Sequence, residues 1–142
     1  MRLYVKRAAL VLLLSMSHAA VAQDAAGTGQ AQEQDSLKVY FRTGSAVVQD
    51  DQKDTLDQAA RLFREGNPIV MIVAGGADTV GRPESNLDLS IARAQSVLDG
   101  LVDRGIPADR LQLLGLGNTE LAVDTEDGVD SQENRRVEIT WR

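Results

Sequence analysis

The stretch "IVMIVAGGADTVGRPESNLDLSIARAQSVLDGLVDRG", residues 69–105, decides the architecture, because it passes from one kind of regular structure to another through a polar loop. Its first five residues follow Pro68 and are continuously apolar, the pattern of a strand covered on both faces. Gly75 and Gly76 come next, and Gly81 follows Asp78 by three, so Asp78 falls in a loop at the strand's end. From Glu84 to Arg104 apolar residues recur at helical spacing, with Gly105 as the stop. At about 100° per residue, Leu87, Ile91, Ala94, Leu98, Leu101 and Val102 form one stripe, the expected core face. Asn86 and Arg93 share one border of that stripe, and Leu89 lies just beyond them, away from the core.

Working outward, the same alternation of strand and helix signals continues. "LKVYF", residues 37–41, puts Leu37, Val39 and Phe41 on one face of a strand. Leu56, Ala59, Ala60 and Phe63 predict a first helix, with Asp50 or Asp51 as N-cap and Gly66 at its C-terminal stop. "RLQLLG", residues 110–115, reads as a third strand, and "RRVEITW", residues 135–141, as a last strand with one polar face. The order β-α-β-α-β-β predicts a two-layer α/β (α+β) sandwich, with two helices packed on one mixed sheet and residues 69–73 as its central strand.

The chain begins with Arg2, Lys6 and Arg7, then an apolar run over residues 8–16 and the small residues Ala20 and Ala22. This predicts a signal peptide over residues 1–22 rather than a buried helix, followed by a polar leader over 23–36 and one domain over 37–142. The apolar run is shorter than the roughly 20 residues that a membrane span needs, so no transmembrane segment is expected in the mature chain. Removing the signal takes away three of 15 Lys and Arg, none of 21 Asp and Glu, and the single histidine, His18. The remainder is strongly acidic, which argues against nucleic acid as a partner. It also lacks both histidine and cysteine, which excludes disulfides, thiol or Ser-His-Asp catalysis, zinc sites built on these residues, and a lipidated cysteine at the cleavage point. No cofactor and no metal site is expected. The acidic segment "DTEDGVD", residues 124–130, reads as a solvated loop, since Val123 and Thr125 stand where a calcium loop needs acidic ligands.

Ligands of open α/β sheets gather at the C-terminal ends of strands, which is where Asp78 falls. An aspartate that accepts from an ammonium, beside a guanidinium that grips a carboxylate, suits the zwitterionic end of an amino acid. The same residues also fit a turn cap at Asp78, a structural Asp78–Arg93 ion pair, or a solvated Arg93.

Five motifs bear on this choice: "VYFRTGSA" at 39–46, "GGADTVG" at 75–81, "NLDLSIARA" at 86–94, "GLG" at 115–117 and "NRRVEI" at 134–139. In order and spacing they resemble the OmpA-like peptidoglycan-binding domain, over essentially all of residues 37–142. The resemblance implies non-covalent binding of the peptide stem of peptidoglycan, typically through its diaminopimelate residue, in the periplasm of a Gram-negative bacterium. Asp78 and Arg93 would match the family's charged pair, with Asn86, Leu89, Phe41 and Ala77 lining the groove, and Arg135 and Arg136 mainly structural, one of them holding the sheet edge or a site carboxylate. Many members carry His or Tyr and then Thr before the aspartate, where this chain has Gly76 and Ala77. That departure motivates a rival reading, an adaptor for envelope proteins without wall affinity. A third, a wall hydrolase, would use Asp78 with a carboxylate such as Glu84.

Overall fold

The computed structural model describes residues 35–142; the expected signal peptide and most of the expected leader lie outside the described residues. The described residues form four strands and two long helices, in the order β1 (Leu37–Tyr40), α1 (Lys53–Gly66), β2 (Met71–Gly76), α2 (Pro83–Asp103), β3 (Leu111–Gly117) and β4 (Arg136–Trp141). Short 3₁₀ turns at Asp50–Gln52 and Ala108–Arg110 precede α1 and β3. The expected order of elements is therefore present, with boundaries displaced by one to three residues.

The strands are arranged β1-β4-β2-β3. The α2 crossover sets β3 parallel beside β2, while β4 inserts between β1 and β2 and runs antiparallel to both. Val39, Met71, Val73, Val137 and Ile139 alternate onto one face and bury against Leu56, Ala59 and Ala60 of α1 and Ala94, Val97 and Leu101 of α2. Among the described residues no helix covers the opposite face, where Ile72 and Ala74 are half-buried. Ile69, just before β2, is 81% exposed. The strand, Met71–Gly76, is thus an inner one, paired with β3 and β4 and covered by helices on one face, not both, among the described residues.

Three further expectations are corrected. Asp50 and Asp51 do not cap α1; they form the preceding 3₁₀ turn, and Asp50 pairs with Lys53 at 2.6 Å. Gly66 is the last residue of α1, and the stop is Asn67, which takes the left-handed conformation (φ 42°) and donates its N–H to the Phe63 carbonyl at 2.9 Å. On α2 the buried residues are Asn86, Ser90, Arg93, Ala94, Val97 and Leu101, whereas Leu87, Ile91 and Val102 are about two-fifths exposed. The buried face is rotated by roughly 80° from the apolar stripe, toward Asn86 and Arg93. Polar groups enter the interior at little cost where the sheet's end offers them backbone partners.

Close approach of α2 to the sheet makes this possible. A Cβ on Gly75 would stand 2.0 Å from the Ser90 carbonyl oxygen, and one on Gly115 would stand 2.4 Å from Ile91 Cγ1. The Ser90 hydroxyl then accepts from the Gly117 N–H at 2.9 Å and donates to the Leu87 carbonyl at 2.7 Å. Ser90→Ala strands the buried Gly117 N–H, so urea unfolding is expected to show a loss of about 1–3 kcal/mol. A variant as stable as wild type would show that this bond holds nothing.

Candidate functional site

Where β2 ends, its chain turns under the start of α2. Ala77 is buried and donates its N–H to the Gly117 carbonyl at 2.7 Å, which ties the loop to β3. Asp78 follows at 5% exposure, and its backbone carbonyl accepts from Asn86 Nδ2 at 3.2 Å. One carboxylate oxygen accepts from the Val80 N–H at 3.2 Å. The other accepts from Arg135 Nη1 at 3.0 Å and from the Ser131 N–H at 3.4 Å.

Burial pushes the Asp78 carboxyl up, but the Arg135 hydrogen bond, the two N–H donors and the Arg135 charge together outweigh it. The net effect holds Asp78 below the ordinary carboxylate value, ionised at neutral pH. A carboxyl so held is a poor proton donor, and Glu84, the other group of the hydrolase reading, is exposed beside Arg82 at 3.7 Å.

Arg93 is fully buried. Its Nε donates to the Ser45 carbonyl at 2.8 Å, Nη1 to Gly76 at 3.1 Å and Nη2 to Arg42 at 3.1 Å. The guanidinium also lies over the Phe41 ring, 5.5 Å from its centre. Arg93 therefore clamps the loop after β1 to the end of β2, and neither the ion pair with Asp78 nor the solvated cation is realised. Burial presses its pKa down to about 10, with Asp78 pulling it up and Arg135 pushing it down. It remains cationic at neutral pH.

Asp78, Asn86, Arg93, Phe41 and Ala77 are accordingly brought together at one end of the sheet, and Leu89 stands part-exposed on α2 between Asn86 and Arg93. Of the two arginines expected to be mainly structural, with one of them at the sheet edge or on a site carboxylate, Arg135 is the direct partner of Asp78. It also pairs with Asp130, and its Nε donates to the Phe41 carbonyl at 3.1 Å. Thr79 was missed. Its hydroxyl donates to the Glu126 carbonyl at 2.7 Å and accepts from the Val129 N–H at 3.1 Å, and its carbonyl accepts from Gly128. The acidic loop 124–130 is thus exposed in its side chains but pinned through its backbone. The one available signal was "NRR" abutting the last strand, which places a cation at the sheet end.

Two helices on one face of a four-stranded mixed sheet, with an aspartate and an arginine buried where an inner strand meets the second helix, define an OmpA-like domain. A model of the OmpA family matches residues 40–135, and the chain belongs to that family. The chain is 32% identical over 102 residues to the probable lipoprotein YiaD of Escherichia coli, covering 72% of this chain and 47% of that protein. It is 30% identical over 100 residues to the peptidoglycan-associated lipoprotein of Rhizobium meliloti, covering 70% of this chain and 57% of that one. The chain thus spans about half the length of these relatives. Among solved structures, the peptidoglycan-associated lipoprotein of Burkholderia pseudomallei superimposes with a TM-score of 0.68 at 27% identity, over 74% of this chain and 89% of that one. The cell wall anchor of the type VI secretion system of Pseudomonas aeruginosa gives 0.61 at 28% identity, over 75% and 79%.

Proposed function

We propose that this chain is a non-catalytic periplasmic module that binds peptidoglycan non-covalently, holding the free amino acid end of the peptide stem, diaminopimelate in particular, at the Asp78–Arg93 end of the sheet. The observation that carries this reading is an ionised carboxylate and a cationic guanidinium buried at the same strand end in a member of the OmpA family. Relatives named for peptidoglycan association and for cell-wall anchoring support it. Asp78 accepts three hydrogen bonds and keeps one lone pair, on Oδ1, for a ligand ammonium. Arg93 commits three of its five N–H groups to carbonyls and keeps two for a ligand carboxylate. Because Arg93 is fully buried, the loop 42–46 is the segment that must yield as the carboxylate enters. Leu89, Asn86, Ala77 and Phe41 form the surrounding wall.

The experiment is co-sedimentation of the exported chain with purified sacculi, with and without free diaminopimelate. The expected result is protein in the pellet, displaced by diaminopimelate, with no muropeptide released. Absence from the pellet would overturn wall binding, and recovery of an envelope protein partner instead would put the adaptor reading in its place. Pelleting that diaminopimelate does not displace would overturn the ligand assignment alone.

A further inference from the structure

The face of the sheet opposite the two helices carries its own charged cavity, of about 260 Å³, lined by Lys38 and Tyr40 of β1, Arg136 of β4, and Ala122, Val123 and Glu133 from the loop between β3 and β4. Tyr40 pairs directly across from Arg136 in the β1–β4 ladder, and Lys38 pairs with Glu138, so these side chains share one face. The loop wall is built firmly: Asn134, fully buried, accepts from the Val123 N–H at 2.9 Å and donates to the Val123 carbonyl at 2.8 Å.

Arg136 is 8% exposed, and its Nε and Nη1 are buried with no hydrogen-bond partner among the described residues. Glu138 Oε2 stands 3.8 Å from Nε, beyond hydrogen-bond reach. The ion pair with Glu138 thus leaves two buried N–H-bearing atoms without an acceptor, which is costly. Gly76 makes room for it, since a Cβ there would stand 3.2 Å from Nη1 and 3.1 Å from the Asn134 carbonyl oxygen. A side chain at position 76 would therefore point to this face, away from the Arg93 cradle.

We propose that the cavity is a second ligand site, for a compact monocarboxylate, gripped by the planar Arg136 fork with the Lys38 ammonium at its mouth. A fork matches the two oxygens of a carboxylate. The acids Glu133 and Glu138 offset the two cations and select against a dianion. This site is separate from the proposed wall-binding end.

The test follows the Arg136 Nε–H resonance of the ¹⁵N-labelled chain, assigned by its loss in Arg136→Lys, during titration with acetate or with inorganic phosphate at constant ionic strength. The expected result is a saturable shift with acetate, weakened roughly two- to fivefold by Lys38→Ala, the scale of a rim charge, and unchanged in Asp78→Asn. No saturable shift, or one indifferent to Lys38→Ala, overturns the site. Phosphate binding more tightly than acetate overturns the monocarboxylate assignment.

Discussion

Arg93→Met is expected to lower the unfolding free energy by about 3–5 kcal/mol, a large part of what a small domain possesses. Methionine fills the space at similar length but donates nothing, so the carbonyls of Arg42, Ser45 and Gly76 lose their donors together. Each buried carbonyl so stranded costs about 1–3 kcal/mol, and part is recovered by burying an apolar chain in place of a cation. The stacking of the guanidinium on Phe41 is lost as well. Arg93→Lys is expected to restore the charge but less than half of the stability, because a compact ammonium cannot span carbonyls on two separate segments. Urea unfolding measures both variants through the midpoint at constant slope. A methionine variant within about 1 kcal/mol of wild type would show that the clamp is dispensable.

Asp78→Asn carries the second large effect. It is nearly isosteric, and it removes the charge that Arg135 faces inside the domain, leaving Arg135 with Asp130, whose side chain is 63% exposed. A loss of about 2–3 kcal/mol at pH 7 is expected, below the full penalty for an orphaned buried charge because Asp130 remains. The pH dependence has a definite sign. The folded carboxyl titrates below its ordinary value of about 3.9, so on acidification the unfolded chain takes up the proton first. The stabilisation from Asp78 is complete above about pH 5 and is lost as pH falls through the folded pKa. Wild type and Asp78→Asn should therefore converge in stability as pH falls below the ordinary carboxylate range, and a constant gap would assign the effect to packing. Under the proposed function the same substitution removes one charge-assisted bond to the ligand ammonium, worth about 1.5–3 kcal/mol. Sacculus binding at pH 7 should then fall roughly 10- to 100-fold.

Local periodicity made most of the fold legible. The alternation in "LKVYF" and "RRVEITW", the helical spacing after Asp51, and the turn glycines each report on a few neighbouring residues, and all appear as the elements they predict. The helix face was misread because an apolar stripe assumes that polar residues stay outside. Asn86, Ser90 and Arg93 go inside, where backbone groups at the end of β2 and β3 receive them. Leu87 and Ile91 are left over the glycines of edge strand β3.

By itself the sequence determined the order of elements, the single acidic domain without histidine or cysteine, and the gathering of Asp78, Asn86 and Arg93 near one strand end. These follow from spacing along the chain, which propagates through strands of period two and helices of period 3.6. Only the tertiary structure decided that β4 lies between β1 and β2. That insertion brings Arg135 to Asp78 across 57 residues and sets Arg136 over Gly76 on the face opposite the helices. Pairings of that kind depend on which strands become neighbours, a choice made by burial of the whole sheet and left unmarked in any local pattern.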